Sequence, residues 1–132
     1  MTDTTTTGPA IEDVTATVDA YFAMLNEEDP TRRAALAAQA WTEDGYYHDP
    51  LLEAKGHDAL VDMVAGVHAQ FPGQRFTRTS GVDAHHRVIR FGWQLADPAG
   101  AVTVAGLDVA IVADDGRLAS LAGFFGPLPE LA

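Results

Sequence analysis

Apolar side chains fall at Ile11, Val14, Val18, Tyr21, Phe22 and Leu25, intervals of one, three and four that lay them along one stripe of an α-helix. A second helix is predicted from the Asp29-Pro30 pair, with the aspartate as N-cap and the proline at the first helical position. It runs through the alanine-rich TRRAALAAQAW to about Trp41, and Gly45 marks the break after it. Leu60, Met63, Val64, Val67 and Phe71 return to helical spacing and predict a third helix from about His57 until Pro72 and Gly73 stop it. Between the second and third helices, YYHD is short and aromatic. Pro50 holds Asp49 in an extended conformation, so a brief strand is predicted there, with Tyr47 and Asp49 on one face.

After Gly73 the pattern becomes strand-like over about 75–84, 86–95, 102–112 and 118–125, with the turn sequences DPAG and DDG between the later segments. Helices first and an antiparallel meander afterwards predict an α+β fold, three N-terminal helices packed on one face of a curved, mostly antiparallel sheet. A chain of 132 residues suits one domain around one core. That domain is expected over residues 10–132, preceded by a frayed tail over 1–9.

Composition narrows the function classes. At 47% hydrophobic and 20% charged the chain is ordinary globular material. It has no cysteine, hence no disulfide framework, thiolate nucleophile or cysteine metal site, and a reducing cytoplasm is the expected location. MTDTTTTGPA has neither a basic stretch nor an apolar run and is not expected to be a signal peptide or anchor. No apolar run approaches the roughly 20 residues of a membrane span. The net charge of -11 repels phosphate backbones and anionic membrane surfaces, so neither nucleic acid nor a membrane is an expected partner.

Two carboxylates stand in apolar company. VTVAGLDVAIVA is apolar on both strand faces and carries Asp108 in its middle, where burial would raise its pKa and keep it a protonated donor. Pairing with a cation such as Arg90, or a wet edge, would account for it equally well. Asp49 is either a working acid or base or a turn carboxylate before proline. Tyr21 points inward from the first helix, as a core residue or a site residue. The histidines do not suggest a metal site. His85 and His86 are adjacent on a predicted strand and face opposite ways, while His57 and His68 are separated by about 16 Å of helical rise.

The order of these features, with YYHDP after the second helix, GLDVAIVADDGRL across the last hairpin and GFFG at the end, resembles the cone-shaped nuclear-transport-factor-like superfamily. The likeness spans about residues 10 to 126. That superfamily includes the SnoaL-like polyketide cyclases, limonene epoxide hydrolase and ketosteroid isomerase. The epoxide hydrolases use an arginine two residues before an aspartate on a strand, and no R-x-D occurs here. The match to ketosteroid isomerase falls at three places and implies a division of roles already known for that enzyme. Asp49 would be the general base, with Tyr21 and a protonated Asp108 holding the substrate oxygen. Neither metal nor organic cofactor is implied. Trp41 and Val64 fall where the isomerases carry supporting tyrosines, which thins the network. His86 matches a SnoaL-like catalytic histidine only if it faces inward.

Tyr47, Ile89, Phe91, Trp93, Leu121 and Phe125 alternate along their strands so as to wall an apolar pocket. Trp41, Met63, Val64 and Val67 would complete it, each with plain core packing as the alternative. The expectation is a cofactor-free proton-transfer enzyme acting on a hydrophobic ketone or polycyclic ligand, as a homodimer formed through the outer sheet face. The alternative is a non-catalytic module that binds a small apolar ligand or dimerises.

Overall fold

The computed structural model describes residues 11–132, and the side chains from Asp13 onward. The expected tail lies outside the described residues. Among the described residues three helices, α1 (Ile11–Asn26), α2 (Pro30–Ala40) and α3 (His57–Gln70), are joined to seven strands. These are β1 (Trp41–His48), β2 (Glu53–Lys55), β3 (Arg75–Arg78), β4 (Asp83–His85), β5 (Val88–Ala96), β6 (Val102–Val112) and β7 (Leu118–Phe125). The sheet runs β2-β1-β7-β6-β5-β3, with β4 also on β5. All pairings are antiparallel except β1 with β7. The result is the expected α+β architecture.

Local chemistry explains most element ends. The Asp29 carboxylate accepts from the Arg32 N–H at 2.9 Å and Pro30 opens α2, which satisfies one of the donors a helix start leaves unpaired. The helix stops one residue short of its predicted end, because Trp41 is extended (φ -122°, ψ 144°) and begins β1. Gly45 lies inside that strand, where the β1–β7 register shifts. A Cβ there would sit 2.6 Å from Trp41 Cε3, so glycine lets the strand fold over the indole.

Three further expectations are corrected. Strand β2 was not foreseen; it follows the Asp49–Leu52 turn and pairs with β1. The predicted 75–84 strand is two pieces, β3 and β4, which pair with opposite ends of β5. His86 is in the two-residue turn after β4, with φ 53°, not on a strand. It is exposed, and β5 starts two residues later than expected.

The core lies between the helices and the concave sheet face. Val14, Val18, Tyr21, Phe22, Met24 and Leu25 of α1 share one core cluster with Ile89, Phe91, Trp93 and Leu95 of β5, and Tyr21 and Phe22 pack edge-to-face on Phe91. Fully burying one such aliphatic or phenyl side chain stabilises by about 1.5–3 kcal/mol. Arg33 is buried as well, though no motif singled it out. Its guanidinium donates to the carbonyls of Glu27 (2.9 Å) and Glu28 (3.1 Å) and reaches His68 Nδ1 at 3.4 Å. His68 Nε2 lies 2.7 Å from the Leu25 carbonyl, so α1, α2 and α3 are tied at one corner. No helix among the described residues is long and apolar enough to cross a membrane.

Candidate active site

The open end of the cone holds a cavity of about 130 Å³ onto which Tyr21, Asp49 and Asp108 all converge. Each arrives from a different element. Tyr21 comes from the apolar stripe of α1 and is 3% exposed. Its ring packs edge-to-face against Phe22 (5.4 Å between centroids), Trp41 (5.9 Å) and Phe91 (6.3 Å), so the hydroxyl has one direction in which to point.

Asp108 lies mid-strand on β6, paired with Phe91 and Gly123, and is also 3% exposed. Burial pushes its carboxyl up to about 7. The nearby Trp93 and Tyr21 donors favour its charged form, while the charge of Asp49 acts with burial. Arg90 is not its partner, since that guanidinium bonds Asp83 at 2.8 Å on the exposed face. Burial, and next the charge of Asp108, hold the Tyr21 hydroxyl well above the ordinary tyrosine range. It therefore remains a donor.

Asp49 follows the end of β1 and is half-buried. Its Oδ1 accepts the Leu51 and Leu52 N–H groups, both at 2.8 Å, and its Oδ2 accepts the Tyr47 hydroxyl. The turn reading and the cavity-facing reading of Asp49 therefore hold together: the backbone of the turn grips one oxygen and the side chain still reaches the cavity. Burial, followed by the bond to Asp49, raises the Tyr47 hydroxyl.

Gly123 makes the convergence possible. A Cβ built on it would lie 3.2 Å from Asp108 Oδ1, 3.2 Å from Asp49 Cβ and 3.4 Å from the Tyr47 hydroxyl. One missing methyl thus leaves the room in which three side chains meet. In Gly123→Ala the methyl group would exclude water from Asp108, so its titration midpoint, followed by carboxyl NMR, is expected to rise above the wild-type value. The stability cost of the crowding is about 1–2 kcal/mol.

Of the residues predicted to wall the pocket, Tyr47, Met63, Val64, Val67, Trp93 and Phe125 line the cavity. Trp41, Ile89, Phe91 and Leu121 do not; each is at most 2% exposed within the packed core. Alternation along a strand gives the face but not the depth. Phe91 is covered by Phe22 at 5.6 Å, whereas Trp93 and Leu95 stand further along β5, toward the opening. Sequence reasoning also missed Phe22 and Leu25, on the same stripe as Tyr21, and Phe71 and Phe76, either side of the Pro72-Gly73 turn. Their periodicity marked them as apolar without separating cavity wall from core. Among the described residues no cluster of three or more His, Asp or Glu side chains could hold a metal ion.

Helices on a curved sheet, closing over an apolar cavity with two carboxylates and a tyrosine, define a small α+β cone of the kind that encloses an organic ligand. The chain belongs to the SnoaL-like domain family, whose model matches residues 18–121. It is similar to a crystal structure from Agrobacterium tumefaciens str. C58 described as a candidate isomerase of the SnoaL-like family. The two share 34% identity and a TM-score of 0.82, over 88% of this chain and 99% of that one. A candidate SnoaL-like polyketide cyclase from Jannaschia sp. CCS1 has the same fold at 13% identity and a TM-score of 0.67, over 86% and 85% of the two chains. A protein with a cystatin-like fold from Methylobium petroleophilum PM1 shares it at 12% identity and a TM-score of 0.73, over 93% and 82%. No curated protein matches significantly.

Proposed function

We propose that this protein is a cofactor-free proton-transfer enzyme, an isomerase or a cyclase, acting on a hydrophobic ketone. The observation that carries the reading is a single apolar cavity in which two aspartates meet opposite surroundings. Asp49 is gripped by three donors, while Asp108 is buried and pushed up to about 7. In this reading Asp49 takes a proton from the carbon beside the carbonyl. Tyr21 and protonated Asp108 donate to the enolate oxygen as charge develops there. Asp49, half-buried at the mouth and open to exchange with solvent, then delivers a proton further along the conjugated system, so nothing is oxidised or reduced. The similarity to a candidate isomerase supports this class of reaction.

Size narrows the substrate. A cavity of about 130 Å³ is close to the roughly 150 Å³ that admits a benzene ring. One ring is enclosed, and any further rings of a polycyclic ligand extend past Leu51, which lines the mouth and is 79% exposed. The test is solvent exchange: in D₂O, wild type should load deuterium beside the carbonyl of a small β,γ-unsaturated cyclic ketone, watched by proton NMR. A panel of such ketones showing no exchange above background would leave the second reading, a binding module. The turn role of Asp49, capping Leu51 and Leu52, is the observation that favours that alternative.

The reading includes a homodimer through the outer sheet face. Leu107 and Phe124 pair directly across β6 and β7 and are 37% and 56% exposed, with Ile111 at 42% four residues further along the same face of β6. Contiguous exposed apolar side chains of this kind mark association surfaces. Wild type is expected to sediment as a dimer and Phe124→Glu as a monomer; a monomeric wild type at micromolar concentration would remove the dimer from the reading.

A further inference from the structure

Two buried side-chain polar atoms among the described residues make no hydrogen bond, the indole nitrogens of Trp41 and Trp93. Their settings differ. Trp41 is wholly buried and away from the cavity. Trp93 is 6% exposed, lines the cavity, and is held by an edge-to-face contact with Phe125 (5.8 Å) and a tilted one with Phe76 (6.0 Å). The Trp93 indole favours the charged form of the Asp108 carboxyl, yet its N–H makes no hydrogen bond. Buried donors without partners are rare in folded proteins and call for an explanation.

We propose that the Trp93 indole N–H is a third donor to the ligand oxygen, beside Tyr21 and Asp108. This rests on the reading of Tyr21 and Asp108 as the oxygen-binding pair. A neutral carbonyl oxygen has two lone pairs and is served by two donors. An enolate oxygen carries more electron density and accepts a third, so Trp93 contributes mainly when the charge has formed, which is the condition for accelerating a reaction rather than merely binding its substrate. Indole is a donor only. It keeps its proton at every working pH, including the range in which Asp108 loses its own. It also supplies hydrogen bonding at the oxygen itself, at a site where Trp41 and Val64 stand in place of supporting tyrosines. The ligand class that follows is a compound whose bound form is an oxyanion on an unsaturated or aromatic ring, an enolate or a phenolate.

The experiment uses para-substituted phenols as enolate mimics, titrated into the full chain with ¹⁵N-labelled indoles. The chain has two tryptophans, so two indole N–H resonances are expected, and Trp93→Phe or Trp41→Phe assigns them. The Trp93 resonance should move downfield on binding, further for the more basic phenolates, while that of Trp41 stays. Trp93→Phe should weaken phenol binding by about ten- to a hundredfold; if that variant does not fold, the shifts in the unaltered protein decide alone. Phenols that bind with Tyr21-dependent affinity and leave the Trp93 resonance in place would overturn the third donor and spare the oxygen site. Failure of wild type to bind any phenol would overturn both.

Discussion

Asp49→Asn is expected to lower exchange and turnover of a β,γ-unsaturated ketone by about 10²- to 10⁴-fold, the contribution of a positioned general base, while leaving the fold intact. The geometry explains why function and folding separate at this position. The asparagine oxygen can still accept the Leu51 and Leu52 N–H groups that Asp49 Oδ1 holds at 2.8 Å. Its amide can donate to the Tyr47 oxygen, which now donates to Asp49 Oδ2. The turn and the mouth of the cavity therefore survive, and only proton affinity is lost. Turnover, measured by the rise in conjugated-ketone absorbance, is to be compared with the melting temperature of the same samples. Equal rates for variant and wild type would end the base assignment. Equal losses of rate and stability would show that Asp49 serves the turn alone.

Asp108 is expected to write its ionisation into both rate and stability. Burial pushes its carboxyl from the ordinary 3.8 up to about 7 in the fold. Below about pH 4 both states hold the proton and nothing is lost. Between those values the unfolded chain releases it and the fold does not, so stability falls with rising pH across this window and levels off above it. The difference is on the order of 4 kcal/mol, and Asp108→Asn should remove that slope in denaturant titrations run from pH 4 to pH 8. Rate follows the same proton. As pH rises through about 7, the donor becomes a charge that repels the developing oxyanion, and kcat/KM should decline. Asp108→Asn keeps an N–H donor and should flatten that decline. Asp108→Leu, with no donor, should lose about 10²- to 10³-fold at every pH. A wild-type profile level from pH 5 to pH 9 would remove Asp108 from the oxygen site.

Certain residues carried their structure in the local pattern. The stripe from Val14 to Leu25 wrote α1, and Asp29-Pro30 wrote the start of α2, because a helix repeats every 3.6 residues and leaves donors to be capped. Asp108 stood out as one charge inside an apolar strand, and the strand's alternation turns it inward. The same run is apolar on both faces, yet Leu107 and Ile111 are exposed on the single chain. Apolarity marks a face for burial without naming what covers it.

Period and local cost were thus available from the sequence: which segments coil, which extend, where a charge sits in greasy company. The depth of each inward side chain was not, since Phe91 and Trp93 share one face of β5 and only the helices overhead make the first core and the second cavity wall. Nor was the gap at Gly123, which arises because β6 and β7 pair it with Asp108 while the turn after β1 brings Asp49 to the same point. Distances between residues far apart along a chain follow from strand register and helix packing, so the site itself came into existence only when the sheet curved and closed.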